Sequence, residues 1–435
     1  MQPGEPVPGA KADKGSWCAA PTVYPEETTM RMTTPVLGTA IAGLVAASVM
    51  TARAQDSIFV PNLTYRTGPF SNSGIPIANG ISDYFAMLNA RDGGIGGAKI
   101  NYEECETGYR NEKGVECYEA LKSKKPVVIT PYSTGITLAL IPKASVDRIP
   151  ILSMAYGLSA SAVGQEFPWI FNPPGGYGLE PVPLLDQFAR DYGFTVKKYP
   201  VPPADMQNQS GLWLGVRRDR PNWMIMWGWG AMNPAAVQEA AKINFPMDHF
   251  VGIWWSGSED DARPASTGGK GYLSLNLNAV GANFPAIQDI ITHVVAKGAS
   301  QTARERVGEN FYNRGIMNAA LIAEAIRNAQ ALTGKKAVDA PDVRRGLETL
   351  KITAARWKEM GLEKFAAALE VTCTDHNGHH AAYMQQWDGA KWVKISDWIA
   401  PMKDKVQPLL DAAAKDYVSK NQPWPRRSEA CDKSS

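Results

Sequence analysis

Cysteine and histidine are scarce in this chain of 435 residues, which carries five of each. Three of the histidines, His376, His379 and His380, fall in one short segment, DHNGHH. No close set of Cys and His has the ligand spacing of a zinc site. A predominance of one charge is lacking too. Lys and Arg number 45 against 43 Asp and Glu, a formal net charge of +2. That balance gives no electrostatic footprint for nucleic acid or for an anionic membrane surface. There is no glycine-rich phosphate loop and no G-x-S-x-G elbow, and no nucleophile–base pair stands out. These absences count against an enzyme, a resident metal or any other cofactor. Long apolar runs are missing with one exception, Val36 to Met50 inside MRMTTPVLGTAIAGLVAASVMTARA, residues 30–54. Arg31 supplies a positive start, and Ala52-Arg53-Ala54 gives a small-x-small cleavage pattern ahead of Gln55. The run is shorter than the roughly 20 apolar residues of a membrane span, so it reads as an export signal cut near Ala54. Residues 1–29, rich in Pro, Gly and charge, read as a disordered leader or an upstream mis-start, with Met30 or Met32 as the true start. No apolar run precedes Cys18, so it is no lipid-attachment site.

About 380 residues then remain, enough for two or three domains with a sizeable core. With Cys18 set aside, four cysteines are left in an exported chain, an even number that favours two disulfides. Cys105 and Cys117 flank ETGYRNEKGVE and form the local pair. Cys373 with Cys431 would pin the C-terminal tail. A metal site is the rival reading of the four.

Strands and helices alternate from Gln55. Strands are expected at Ile58–Val60, Lys99–Glu104, Val127–Ile129 and Ile151–Met154, with helices at 74–90, Lys113–Lys122 and Gly135–Val146. A second such region follows. Its helices are Leu184–Tyr192, Leu212–Arg218 and Ala235–Ile243. Its strands are Phe194–Tyr199, Met224–Trp227, Phe250–Trp254 and Leu273–Leu277. Then come helices at Ile287–Lys297, Thr302–Phe311, Ile316–Leu332 and Pro341–Leu350. A meander of short strands at Val371–Cys373, Ala382–Trp387 and Trp392–Ile395 precedes a last helix, Asp411–Lys420. Asn377-Gly378 reads as a hairpin turn rather than as part of a metal site. The class is α/β with parallel sheets, in which ligands bind at the carboxyl ends of the strands.

Several ordered stretches then carry a resemblance: TYRTGPFSNSG, ECETGY with GVEC, TPYSTGITLALIP, IPILSMAYG, WGWGAMN, FPMDHFVGIWWSGSE, NRGIMNAALIAEAIR and QQWDGAKWVKISDW. From Gln55 to Trp398 the chain resembles the periplasmic substrate-binding proteins of ABC importers, of the branched-chain amino acid type. The resemblance implies a type I, Venus-flytrap fold of two α/β lobes with parallel sheets flanked by helices and three crossings between the lobes. It implies no catalysis. The role would be capture of a small amino acid or amide-like solute in the inter-lobe cleft and delivery to an ABC permease with its ATPase subunits, by a periplasmic monomer. The expected organisation is lobe one over 55–172, lobe two over 173–276, a return to lobe one over 277–365, and a C-terminal meander and tail, 366–435, mainly on lobe two. The alternative is a ligand-sensing module for a receptor or regulator, since the same fold serves both.

Residues and resemblance together select the ligand candidates. Tyr132, Ser133 and Thr134 lie where TPYSTG opens a helix, and free N–H groups at a helix start suit a carboxylate. Ser133 or Thr134 could equally cap that helix. Tyr65 and Arg66 follow the first strand, and Tyr156 follows another. Trp229, Trp255 and Glu259 follow strands of the second region. Glu259 could pair with a ligand ammonium, or stand exposed beside Asp260 and Asp261.

The chain also departs from the family pattern. Phe171-Asn172-Pro173-Pro174-Gly175-Gly176-Tyr177-Gly178 runs straight into Leu179-Glu180-Pro181, where members carry a further helix and strand. Loss of a central parallel strand would open lobe two and expose sheet edges. The expected consequence is lower stability or weaker binding.

Overall fold

The computed structural model describes residues 56–154, 156–175, 182–427 and 429–431. The expected leader and export signal lie outside the described residues.

Strand β1 (Ser57–Thr64) is buried along nearly its whole length, as a central strand of a covered parallel sheet must be. It runs parallel to β2 (Lys99–Glu106), with Ser57 opposite Lys99 and Thr64 opposite Glu106. On its other side the apolar segment 127–130 joins by hydrogen bonds from Val127 N–H to the Phe59 carbonyl and from Leu63 N–H to the Thr130 carbonyl, both 3.0 Å. Bridging of Ile129 to Ile151 adds β3 (Ile151–Leu152), which pairs in parallel with β4 (Ile170–Phe171). Helices α1 (Ser71–Asp92), α2 (Asn111–Lys122) and α3 (Thr134–Asp147) link these strands. The disulfides form as Cys105–Cys117, tying the end of β2 to α2, and as Cys373–Cys431.

The second sheet has the order β11-β10-β7-β6-β5. Strands β5 (Met224–Met226), β6 (Phe250–Gly252) and β7 (Leu273–Asn276) are mutually parallel. The hairpin β10 (Tyr383–Trp387) and β11 (Trp392–Lys394) adds to β7 in antiparallel fashion, turning at Asp388-Gly389. Its helices are α4 (Val182–Tyr192), α5 (Ser210–Asp219), α6 (Met232–Lys242) and the short α7 (Glu259–Ala262). Trp213, Phe245, Phe250 and Tyr272 fill the core beneath them.

The chain then returns to the first sheet. Helix α8 (Pro285–His293) is followed by α9 (Asn310–Thr333), α10 (Ala340–Glu348) and α11 (Ala354–Glu359), with β8 (Lys351–Ile352) and β9 (Leu369–Glu370) forming a small antiparallel pair. Helices α1 and α9 approach closely: a Cβ at Gly80 would overlap the Tyr312 carbonyl, and one at Gly315 the Ile77 carbonyl. Helix α12 (Lys403–Lys420) departs from the expected tail placement. Its Ala414 and Val418, with Trp424 beyond it, pack among Ile129, Phe167 and Trp169 of the first sheet's core.

Three expected elements do not form. Residues 302–309 hold one short 3-10 turn, Arg304–Arg306, before α9 begins at Asn310, and 371–373 are irregular, with β8 pairing Leu369–Glu370 instead. Phe194–Tyr199, apolar enough to read as a strand, is coil among the described residues. A strand exists only through a neighbour's hydrogen bonds, and β5 ends the sheet without one on its outer side. Among the described residues no strand pairs with that side of β5. The edge strand is apolar, with Ile225 59% and Trp223 54% exposed, and Phe194 of the coil is 46% exposed.

Amide exchange should register this edge. Residues 194–199 are expected to exchange near the unprotected rate while β6 and β7 stay protected. Protection of 194–199 equal to that of β6 would mean that the segment is paired after all.

Candidate solute-binding site

In a parallel sheet the residues that leave the carboxyl ends of the strands gather on one edge. Tyr65 follows β1, Tyr109 follows β2, Tyr132 follows the 127–130 segment, and Tyr156 follows β3. Tyr65 packs against Tyr132 at 4.8 Å between ring centroids and against Tyr109 at 4.9 Å. Its hydroxyl lies 3.2 Å from that of Tyr156. From the second sheet, Trp229 follows β5 and Trp255 follows β6, with their rings 4.9 Å apart. Asn233 Nδ2 donates to the Trp255 carbonyl (2.9 Å) and Ser256 Oγ to the Gly228 carbonyl (2.9 Å), so the two indole loops are tied to each other.

The two sets of rings meet. Tyr156 stacks on Trp255 at 4.5 Å and 28°, and lies edge-on to Trp229 at 5.5 Å. Tyr65 reaches Trp229 at 6.2 Å, and Phe311 from the start of α9 completes the cluster at 5.6 Å from Trp229. Each such pair contributes about 0.5–1.5 kcal/mol beyond its buried area. Burial also pushes the Tyr65 and Tyr132 hydroxyls well above the usual phenol range, so both stay protonated donors.

The start of α3 lies beside this cluster. Ser133 is the N-cap in extended conformation and accepts from Ile136 N–H at 3.5 Å. The Gly157 N–H points at Thr134 Oγ1 (3.4 Å). The Tyr109 hydroxyl, pushed up to about 12 by burial, is within hydrogen-bonding reach of the Thr134 backbone and the Ser133 side chain. Ser133 therefore takes the capping role expected of it, beside the ring cluster.

Two of the nine ligand candidates are engaged elsewhere. Arg66 makes a two-pronged ion pair with Glu104, Nε to Oε2 at 2.6 Å and Nη2 to Oε1 at 2.8 Å, and Nη1 donates to Asn79 Oδ1 at 2.8 Å. It ties β1 to β2 and α1. Glu259 is buried, not exposed, and faces no cleft. Both its oxygens accept from Asn310 N–H, at 2.9 and 3.2 Å, so it caps α9. Burial, with repulsion from Glu309, pushes its carboxyl up to about 8. Tyr109, Phe311 and Arg314 are the side chains that sequence reasoning missed. Arg314 carried a readable signal, since it falls in register with Phe311, Met317 and Leu321 on a buried helix stripe.

The profile of the family described as Periplasmic binding protein matches residues 57–177 and 171–391. The chain belongs to this family. The match falls into two pieces that overlap at 171–177, where the chain departs from the family pattern. A Pseudomonas fluorescens group crystal structure described as an ABC transporter permease is 34% identical, with TM-score 0.78 over 86% of this chain and 100% of that one. A Thermus thermophilus branched-chain amino acid ABC transporter protein with bound valine is 19% identical, with TM-score 0.64 over 82% and 98%. An ABC transporter solute-binding protein from R. palustris in complex with benzoate is 13% identical, with TM-score 0.58 over 80% and 98%. The last two show the fold alone. A search of curated protein sequences finds no match. The chain is a solute-binding protein of ABC transporter type, and members of this periplasmic family bind without catalysing.

The buried acids predict a pH effect. Glu259 and Asp261, raised to about 8 and about 7, hold protons in the folded state that the unfolded chain releases near pH 4 to 4.5. Their contribution to stability is therefore present at low pH and is lost as pH rises through their folded values. Glu259→Gln keeps an acceptor for Asn310 and should flatten the fall in melting temperature between pH 5 and pH 8. An unchanged slope would contradict the burial of this carboxyl.

Proposed function

We propose that the chain captures a small carboxylate- or amide-bearing solute, such as an amino acid or an amide, between the two ring clusters, and hands it to a membrane permease driven by cytoplasmic ATPase subunits. The observation that carries this reading is a pair of orphaned donors. Among the described residues, neither Trp229 Nε1 nor Trp255 Nε1 has a hydrogen-bond acceptor, although both are buried; Trp387 and Trp392 in the second sheet's core share this, but Trp229 and Trp255 are the two that meet Tyr65 and Tyr156. Leaving a buried donor unsatisfied costs about 1–3 kcal/mol. A solute oxygen arriving as the lobes part would meet both, with Tyr65, Tyr132 and Tyr156 forming the opposite wall and the α3 start at Ser133 and Thr134 offering further donors. Valine and benzoate, held by the two similar proteins above, are both small carboxylates. Export through residues 30–54 would place the chain in the periplasm, as a monomer.

A thermal-shift screen of amino acids, amides and small carboxylates on residues 55–435 tests the reading. For the best solute, Trp229→Phe and Trp255→Phe should each weaken binding about tenfold, or about 1.4 kcal/mol. Each also shrinks a packed ring and should lower the unliganded melting temperature modestly, so affinity is compared below the variant's own transition. No solute shift, or unchanged affinity in both variants, would overturn it.

A further inference from the structure

Arg314 sits on the first turns of α9 with its side chain fully buried. Its contacts are all neutral. Nη2 donates to Asn276 Oδ1 at 2.7 Å, Nε donates to Asn278 Oδ1, and Nη1 lies 3.5 Å from the Trp254 carbonyl. The guanidinium carbon stands 5.1 Å from the centre of the Trp255 ring. Its electrostatic neighbours are the phenols of Tyr383 and Tyr156, and no carboxylate among the described residues pairs with it. Other partly or largely buried cations behave differently. Arg427 pairs with Glu348, and Arg66 with Glu104. A guanidinium taken out of water without a counter-charge is costly, and burial lowers its proton affinity to about 9. At neutral pH it is still a cation.

The acids near the lobe junction are poorly suited as a ligand's ammonium partner. Glu259 is taken by Asn310, and Asp261 accepts from the N–H of Ser258 on one oxygen in a capping box while its other oxygen is buried without a partner among the described residues. Both favour their neutral forms through burial. Among the described residues, the ring cluster is thus bordered by one buried positive charge with which no carboxylate pairs.

Resting on the capture reading above, we propose that Arg314 sets the charge of the solute: the cleft selects a carboxylate anion that lacks a neighbouring ammonium group, with Arg314 as its counter-charge. In a dry site the attraction acts over several ångströms and needs no direct contact. The carboxylate end lies toward Trp255 and α9, and the body of the solute lies among the tyrosines. The competing account makes Arg314 a tie between the end of β7, where Asn276 and Asn278 sit, and α9.

Matched carboxylate and amide pairs separate the two accounts, because each pair shares its shape and differs in charge. Benzoate with benzamide and isovalerate with isovaleramide, together with valine as the zwitterion, would be titrated calorimetrically into residues 55–435. The expected result is at least tenfold tighter binding of the carboxylate than of its amide or of valine. Arg314→Gln should lose that preference by weakening the carboxylate alone, and Arg314→Lys should retain it. Equal or tighter binding of the amide or of valine to the unaltered protein overturns the proposal and leaves capture standing, and this comparison needs no variant. Equal weakening of both members of a pair by Arg314→Gln assigns the residue to the tie and also overturns it. If no member of the panel binds, the capture reading fails and takes this inference with it.

Discussion

The stacking of Tyr156 on Trp255 joins a ring that follows a strand of one sheet to a ring that follows a strand of the other. Parallel strands send all their carboxyl ends to one edge, so each sheet has a single edge from which loops can reach across. At those edges this chain places large rings: Tyr65, Tyr109, Tyr132 and Tyr156 on one side, Trp229 and Trp255 on the other. Aromatic rings suit a surface that must meet both a partner ring and a solute, because they bury much area and lose little side-chain freedom. Contacts of this kind are individually small, so a solute that supplies comparable area and satisfies the indole donors can replace them.

The junction behind the rings is built from a different material. Glu259 caps α9, Asn310 reaches the Gly257 carbonyl at 2.6 Å, and Arg314 is held by Asn276 and Asn278. This polar network is buried and directional. It fixes the start of α9, and with it Phe311 and Arg314, against the point where β7 leaves the second sheet. Polar groups therefore position the site, and rings line it.

Much of this was legible in the chain. The alternation of β1, α1, β2 and α2 followed from apolar periodicity. The start of α3 followed from a Ser at the N-cap position after a buried run, and the cysteine pairing from compartment and count. What was not legible depended on partners distant in sequence. Phe194–Tyr199 has a strand's composition, but strand formation needs a neighbour, and among the described residues no strand pairs with the outer side of β5. Arg66 looked like a cleft residue because it follows Tyr65. Its partner Glu104 lies on the adjacent strand, and only the β1–β2 register brings the two together. Glu259 looked like a surface acid or an ammonium partner, since nothing local announces that Asn310 will present its N–H there. Arg314 was the reverse case: a charge in an apolar stripe is a visible anomaly, and among the described residues no carboxylate pairs with it.

The most direct test of the account is a crystal structure of residues 55–435 grown with the solute that gives the largest thermal shift. The account predicts that solute enclosed by Tyr65, Tyr156, Trp229 and Trp255, with both indole N–H groups donating to its oxygens and Tyr156 no longer stacked on Trp255. A solute bound elsewhere, with the Tyr156–Trp255 stack intact, would contradict it.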